Sequence, residues 1–308
     1  MQALNELSIE RPQTSADLTE LEKIWAASQD EDNAAFRPGD GWWSFTSWAT
    51  AVRIVRFQNK LLGAVGINVS PEAPDVAEVR LALLPVQRQS ELSQVLIREA
   101  KVLAQEAGAC VVRIYIPARA TWAREAANAH HFSLKRTQYV MLLPAERANL
   151  ALQSPEDIDI RQLGAGEEEA LLVALNRAWA DTWNFRQLTM QALRADLDGT
   201  QNNFLVAISP AANGEIIGTV QAQFDAHKSN QDAGSAYAWI SNLTIVPGWR
   251  GKGLGRILLK AGINQLIARG ARSIALGVDG GAVAPVGLYR SLGFEIIDTV
   301  EIWESALQ

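Results

Sequence analysis

Three alternating glycines, Gly251, Gly253 and Gly255, follow Arg250 directly in the sequence. Apolar residues then recur at helical spacing, and the preceding segment WISNLTIVP has the composition of a strand. Successive main-chain N–H groups in a turn at the start of a helix form a concave anion site. Glycine suits such a turn because it has no Cβ to hold the backbone away from a phosphate. The stretch therefore predicts a phosphate-binding turn between a strand and a helix.

Two common phosphate-binding motifs do not fit this stretch. A Walker loop needs a glycine, then four intervening residues, then Gly-Lys-Ser/Thr, but Val246 stands at the first position and Gly253 at the last. A dinucleotide fingerprint needs a third glycine where Arg256 stands and an acidic residue about twenty positions later, where Ala275 stands. Both motifs are therefore rejected.

The downstream sequence supplies a candidate proton donor. After the buried strand pattern RSIALGV comes VAPVGLYRSLGFEIID, which predicts a short helix carrying Tyr289, a turn at Gly293 and a strand. The order LTIVPGWRGKGLG, strand, LYRSLGFE closely resembles the GNAT superfamily of acyl-CoA-dependent N-acyltransferases. The loop motif of that superfamily is Arg/Gln-x-x-Gly-x-Gly/Ala. The resemblance implies that the bound phosphate is the pyrophosphate of coenzyme A.

The same resemblance implies roles for individual residues. The pantetheine arm would bond like an added strand to the edge from Leu243 to Val246. Tyr289 would protonate the departing thiolate, since a tyrosine of ordinary pKa, about 10, keeps its proton at neutral pH. The residues expected to contact acetyl-CoA are Leu243, Ile245, Val246, Arg250, Gly251, Lys252, Gly253, Leu254, Gly255 and Arg256.

The group that takes the proton from the acceptor amine is less well defined by the sequence. An amine of pKa about 10.4 is under roughly 0.1% neutral at pH 7, so a base or water chain is expected. Ser241 stands near the place where many relatives carry a glutamate, and a serine can hold a water but is no strong base. Asp181 and Asp279 are alternatives, although each is also typical of a turn or cap. Ala282 replaces an asparagine that often contacts the cofactor in relatives.

Aromatic residues mark a candidate acceptor pocket. Trp179 and Trp183 lie in the segment that lines the acceptor site in the resembled family, and they could hold an apolar group or a cation. Core packing is the alternative role for both rings. With Asp181 and Trp239 they complete the predicted substrate pocket.

The chain contains a second copy of the pattern. A shift of 162 superposes Pro85 on Pro247 and carries on without a gap to Phe132 and Phe294. A shift of 155 pairs Gly63 with Gly218 further upstream, and the difference is explained by extra residues in the segment DAHKSNQDAGSA. The other equivalent pairs are Arg88 with Arg250, Leu92 with Leu254, Leu96 with Leu258 and Gly108 with Gly270.

The first copy has lost the residues that the chemistry needs. Gln89, Glu91 and Ser93 replace the three glycines, and Ala127 replaces Tyr289. A carboxylate at position 91 would repel a diphosphate, so the first copy is expected to be a non-catalytic scaffold. Binding of a different ligand is the alternative, because a fold does not dictate its function.

The repeat, taken together with the resemblance to the GNAT superfamily, implies an α/β (α+β) chain of two tandem GNAT-like domains, residues 1–148 and 149–308. Each would have a mixed, mostly antiparallel sheet flanked by helices and splayed between its fourth and fifth strands. The expected function is acetyl-CoA-dependent N-acetyl transfer to a primary amine of a small molecule or peptide, catalysed by the second domain. Mycothiol synthase has this tandem type. A non-catalytic acyl-CoA-binding sensor or interaction module is the alternative.

The composition limits the classes of partner and ligand that are expected for this protein. The 308 residues carry 28 basic and 34 acidic side chains, a net charge of −6, with no basic stripe suited to nucleic acid. Cys110 is the single cysteine, and His130 and His131 are interpreted as a strand-end pair, so no metal site is expected. With no apolar run of about 18 residues, no membrane association and a cytoplasmic location are predicted. Packing or domain-interface roles are expected for Trp42, Trp43 and Trp48.

Overall fold

The protein consists of two compact units. A computed structural model describes residues 7–32, 44–88, 91–148, 151, 157–197, 203–224 and 237–307. The first unit comprises residues 1–140, 279–281 and 297–308, and the second comprises residues 141–278 and 282–296. The predicted domains, 1–148 and 149–308, are continuous in sequence, whereas the end of the chain belongs to the first unit.

The first unit is a mixed sheet with helices on its faces. Its strand order is β1-β2-β3-β4-β5-β12, antiparallel throughout except for the parallel pair β4 and β5. The strands are β1 (Leu7–Glu10), β2 (Ala51–Phe57), β3 (Lys60–Asn68), β4 (Val76–Leu83), β5 (Val111–Pro117) and β12 (Glu295–Ala306). The helices are α1 (Ser15–Asp32), α2 (Phe45–Trp48), α3 (Leu92–Glu106) and α4 (Thr121–Ala129). Strand β6 (Ser133–Pro144) begins in this unit.

The second unit repeats the same plan. Its strands run in the order β7-β8-β9-β10-β11, with β10 and β11 parallel and the other neighbours antiparallel. The strands are β7 (Asp159–Gln162), β8 (Phe204–Ile208), β9 (Ile216–Phe224), β10 (Tyr237–Ile245) and β11 (Ser273–Asp279). The helices are α5 (Glu168–Trp179), α6 (Met190–Leu197), α7 (Leu254–Ala268) and α8 (Val283–Ser291). The predicted fold class of two mixed, mostly antiparallel domains is confirmed.

The parallel pair of each unit separates along its length. In the second unit the register of β10 and β11 runs only from Tyr237–Ser273 to Ile240–Leu276, although β10 continues to Ile245. In the first unit it ends at Val79–Ile114. The predicted splay between the fourth and fifth strands is therefore present in both units.

The two glycines paired by the sequence repeat occupy the same steric environment. A Cβ on Gly63 would lie 2.9 Å from the Ala82 oxygen and 3.4 Å from a methyl of Leu96 on α3. A Cβ on Gly218 would lie 3.0 Å from the Thr244 oxygen and 2.8 Å from a methyl of Leu258 on α7. In each unit, glycine lets the principal helix approach the sheet closely.

Candidate functional site

The glycine turn forms the start of α7. Gly251 and Gly253 have φ values of +75° and +83°, the left-handed conformation that favours glycine, and Gly253 is the residue that precedes the helix. Within the described part of the chain, the N–H groups of residues 251–255 have no hydrogen-bond acceptor. Consecutive unpaired donors at the positive end of a helix dipole form an anion site. The turn thus has the geometry of an anion-binding loop, as the sequence predicts.

Cationic side chains flank this turn in different ways. The ammonium group of Lys252 lies 4.6 Å from the ring centre of Trp249. Arg256 donates from Nη2 to Ser291 Oγ at 2.8 Å, which ties the first turn of α7 to the end of α8. Both charges stand on the exposed side of the loop and add positive potential to it.

Arg250 holds the loop in place through protein contacts. Its Nε donates to Ile245 O at 3.0 Å, and its Nη2 donates to Ala178 O at 2.7 Å. The guanidinium also pairs with the Asp181 carboxylate, and this hydrogen bond lowers the pKa of Asp181. The side chain of Arg250 thus links the loop, the end of β10 and the end of α5.

Tyr289 lies in α8, beside the loop. The residue is 7% exposed, and burial raises the pKa of its phenol to about 12. Its ring packs edge-on against Phe294, with the ring centres 6.0 Å apart. Among the described residues its hydroxyl has no hydrogen-bond partner. A phenol in this environment remains protonated across the physiological pH range.

Gly255 brings the loop, the splayed strand and the tyrosine helix together. A Cβ built on Gly255 would lie 3.6 Å from Leu288 Cδ2 and 4.0 Å from Ile245 Cγ1. Leu288 is the neighbour of Tyr289 in α8. The predicted cofactor edge, glycine turn and proton donor are therefore parts of one local structure.

Ser241 begins an irregular stretch of β10. The register of β10 with β9 shifts between Ser241 and Thr244, and Asn242 has a φ of +46°. Ser241 Oγ donates to Gln221 Oε1 at 2.8 Å, and Asn242 Nδ2 donates to the same oxygen at 2.9 Å. Since its proton is engaged by Gln221, the Ser241 hydroxyl has lone pairs to offer a water or amine. Sequence reasoning did not single out Gln221, although a polar glutamine within a largely apolar strand could have indicated it.

A cavity of about 270 Å³ lies beside this irregular stretch. It includes Trp179 and Trp183, which the sequence predicted, and Asn242, which it did not. The other lining residues are Leu175, Asn176, Thr182, Asn184, Phe185, Arg186, Leu188, Leu193, Asp196 and Phe204. The combination of aromatic walls with a few polar groups is typical of a small-molecule site.

The remaining predicted site residues have other environments. Asp181 is occupied by Arg250 and does not line the described cavity. Trp239 is also absent from that lining and lies 3.6 Å from the Cβ position of Gly277. Asp279, assigned to the first unit, pairs with Arg136 at 3.1 Å. Both aspartates proposed as alternative bases therefore have arginine partners, and the hydrogen bond from Arg250 lowers the pKa of Asp181.

The first unit differs from the second at the described residues of the equivalent loop. Glu91, at the position of Gly253, has a φ of −63° and precedes α3 in right-handed conformation. Ala127, at the position of Tyr289, is fully buried. Arg88 nevertheless repeats the contact of Arg250, because its Nη2 donates to Ser28 O at 2.9 Å and it pairs with Asp32. The architecture is retained while the phosphate turn is replaced.

Other predictions concern metal binding, membrane association and residues that the structure does not describe. In the described ranges, no group of three or more His, Cys, Asp or Glu side chains is placed to hold a metal ion. No described helix is long and apolar enough to cross a membrane. Trp48, for which a packing or domain-interface role is expected, has the guanidinium of Arg80 at 4.1 Å from its ring centre. Trp42, Trp43 and Gln89 lie outside the described residues.

Sequence comparison identifies related acetyltransferases. The acetyltransferase (GNAT) family matches residues 169–294. An acetyltransferase of Pectobacterium atrosepticum is 31% identical over 41% of this chain and 79% of its own length. The mycothiol acetyltransferase of Thermobifida fusca is 29% identical over 80% of this chain and 77% of its own length.

Solved structures share the fold over the whole chain. A GCN5-related N-acetyltransferase from Sphaerobacter thermophilus superposes with a TM-score of 0.79 at 20% identity, covering 98% of this chain and 96% of that one. A tandem GNAT protein from the clavulanic acid biosynthesis pathway superposes with a TM-score of 0.72 at 14% identity, covering 98% of both chains. The sequence matches and the repeated architecture lead to one assignment. This chain belongs to the GNAT family of N-acetyltransferases, in its tandem two-domain form.

Proposed function

We propose that the second unit transfers an acetyl group from acetyl-CoA to a primary amine. The observation that carries this proposal is the row of unpaired N–H groups at residues 251–255 beside the buried, protonated Tyr289. The row suits the pyrophosphate of the donor, and the phenol suits its sulfur. Gly255 lies close to both the splayed strand and α8, so the loop and Tyr289 can contact the same bound molecule.

In the proposed reaction the amine nitrogen attacks the thioester carbonyl directly. The new C–N bond forms as the carbonyl becomes tetrahedral, and the C–S bond then breaks to release the thiolate of coenzyme A. Tyr289 supplies the proton to that sulfur as the C–S bond breaks, because its phenol is protonated at neutral pH and its helix lies against the loop that holds the donor. Re-protonation of the phenolate from solvent closes the cycle.

Ser241 has the role of positioning rather than of a strong base. Its hydroxyl proton is held by Gln221, which leaves its oxygen as an acceptor for the attacking amine or for a water that carries the amine proton away. The register shift at this point interrupts the pairing of β10 with β9, and we assign the pantetheine arm to the edge that follows it, from Leu243 to Val246.

Arg250 contributes to donor binding indirectly in this scheme. Its three contacts, to Ile245, Ala178 and Asp181, set the shape of the loop, while the phosphate is held by the N–H groups of residues 251–255. This revises the expectation that the Arg250 side chain itself meets the pyrophosphate.

The acceptor belongs in the cavity next to Ser241 and Asn242. Its aromatic residues Trp179 and Trp183 suit an apolar group, and Asp196 adds a carboxylate that suits a cationic amine. The name of the Thermobifida fusca relative extends the acceptor candidates to amines of small thiol compounds.

A panel of primary amines incubated with acetyl-CoA tests the proposal. Products should be identified by mass, because an acceptor with its own thiol would obscure the release of free coenzyme A. We expect acetylated product from at least one amine, and about 10²-fold slower turnover in Tyr289→Phe with acetyl-CoA binding retained. A variant with normal turnover would remove Tyr289 from the mechanism, and loss of acetyl-CoA binding would make it structural.

A further inference from the structure

The first unit contains a cavity of its own, of about 250 Å³. It opens where β4 and β5 part, since their register ends at Val79–Ile114 and the next residues, Arg80 and Tyr115, both line the cavity. The lining also includes Trp25, Asp32, Trp48, Glu78 and Trp122. The lining thus combines aromatic rings with charged groups.

Opposite charges stand two residues apart on one strand of this lining. Glu78 and Arg80 alternate along β4, so both side chains project from the same face of the sheet, and both reach the cavity. Glu78 Oε1 accepts a hydrogen bond from Tyr115 at 2.8 Å, and its carboxylate remains partly exposed. A carboxylate has about four lone-pair sites, so Glu78 can accept further donors.

The guanidinium of Arg80 is held by aromatic rings. It lies 4.1 Å from the ring centre of Trp48 and 5.5 Å from that of Trp25. A guanidinium stacked on aromatic rings keeps its N–H donors in its own plane, the geometry that recognises a carboxylate. By contrast, Asp32 is buried against Arg88 at 2.9 Å, so the charge of that pair is satisfied internally.

Trp25 provides an independent sign that the cavity receives a polar atom. The residue is 7% exposed and lines the cavity, yet its indole Nε1 is a buried donor with no hydrogen-bond partner among the described residues. Burying a donor without an acceptor is unfavourable, because the donor loses its hydrogen bond to water. A ligand acceptor would recover this free energy.

We infer that this cavity binds a small zwitterion with an apolar substituent, the chemistry of a free apolar amino acid. Its ammonium group is placed at Glu78 and its carboxylate at Arg80 and the indole N–H of Trp25. The apolar substituent contacts the rings of Trp48 and Trp122. Glu91 stands where a diphosphate would need glycine, so this ligand differs in class from coenzyme A.

Calorimetry on the full-length protein without acetyl-CoA tests this site with L-phenylalanine as the probe. The analogues phenethylamine and 3-phenylpropanoate each retain one of its two charges. We expect one site for L-phenylalanine and at least about 10-fold weaker binding of each analogue. Glu78→Gln and Trp25→Phe should each weaken the binding of L-phenylalanine by about 10-fold or more.

Arg98→Met, an exposed change on α3 of the same unit, is the control and should bind like the unaltered protein. Circular dichroism of each variant checks folding. If Glu78→Gln does not fold, the binding of L-phenylalanine to Trp25→Phe and the affinities of the two analogues still test the proposed site. Three results would overturn the site: no heat of binding up to about 10 mM, affinity insensitive to both lining variants, or both analogues binding as tightly as L-phenylalanine. None of these readouts depends on acetyl transfer.

Discussion

At the scale of residues, Arg250 and Asp181 carry the most informative contact of the loop. The pair connects the phosphate turn with the segment that holds Trp179 and Trp183. Exposed ion pairs stabilise proteins by about 0–1 kcal/mol, so the carboxylate contributes less than the hydrogen bonds of Arg250 to Ile245 and Ala178. The arginine therefore acts chiefly as a clamp on the main chain.

The clamp and a direct phosphate contact predict opposite effects of Asp181→Asn. If Arg250 is a clamp, the variant should bind acetyl-CoA equally well or up to about 3-fold more weakly, because one restraint on the loop is lost. If Arg250 reaches the phosphate, removal of the competing carboxylate should tighten binding. Calorimetric dissociation constants distinguish the two, and Arg177→Met, which removes the exposed pair with Glu215, is the control.

Burial of Tyr289 has a consequence for alkaline stability. The pKa of its phenol is about 12 in the folded protein, against about 10 in an unfolded chain. Because the folded pKa is raised, this contribution to stability is complete below pH 10 and is lost as the pH rises toward 12. In urea unfolding, the free energy of unfolding of the unaltered protein should therefore fall between pH 10 and 12. The fall in Tyr289→Phe should be smaller by up to about 2–3 kcal/mol. Identical alkaline slopes would contradict the burial of this phenol.

At the scale of elements, close helix–sheet packing depends on single glycines. The Cβ of Gly218→Ala would lie 2.7 Å from Ile245 Cδ1 and 2.8 Å from Leu258 Cδ1, and Gly63→Ala meets an equivalent obstruction. We expect each variant to lose about 1–3 kcal/mol of stability through displacement of α7 or α3. Thermal or urea unfolding measures the loss.

Gly287→Ala is the matched control for these glycines. It lies within α8, its Cβ would meet nothing within 4 Å, and alanine favours a helix by about 0.5–1 kcal/mol. This variant should be as stable as the unaltered protein or more so. A loss of stability in Gly287→Ala equal to that in Gly218→Ala would mean that steric contact is not the cause.

The equivalence of Gly63 and Gly218 was predictable because a repeat preserves spacing along the chain. The strand, glycine turn and helix around Gly253 were predictable from local signals, namely the spacing of apolar residues and the glycines between the two elements. The partners of Arg250 were not, since Ala178 and Asp181 lie some 70 positions away and nothing in the motif specifies them. Strand register shifts such as the one after Ser241 also leave no periodic signal in sequence.

At the scale of the whole molecule, the C-terminal residues complete the first unit. Residues 300–306 of β12 pair along β5, and Glu304 binds the buried Arg113 at 2.7 Å. Ser305 accepts a hydrogen bond from Lys101, and Trp303 belongs to the hydrophobic core of this unit. The continuous division at residue 148 could not reveal this, because sequence order does not specify which distant strand covers an edge.

Cutting the chain at the predicted boundary should therefore damage it. A fragment of residues 150–308 would leave the β12 edge without β5, and an unpaired edge promotes aggregation. We expect the fragment to be poorly soluble or much less active than the full chain, as measured by unfolding and acetyl-CoA turnover. A stable, fully active fragment would show that the first unit is an independent module.

The measurement that tests the central claim most directly is the stoichiometry of acetyl-CoA binding by calorimetry. The claim is that the turn at residues 251–255 binds the donor and that its counterpart at Glu91 does not. We expect one site per chain, abolished by Gly253→Glu but only weakened by Gly253→Gln, which has nearly the same size without the charge. Two equivalent sites, or unchanged binding in Gly253→Glu, would contradict the account.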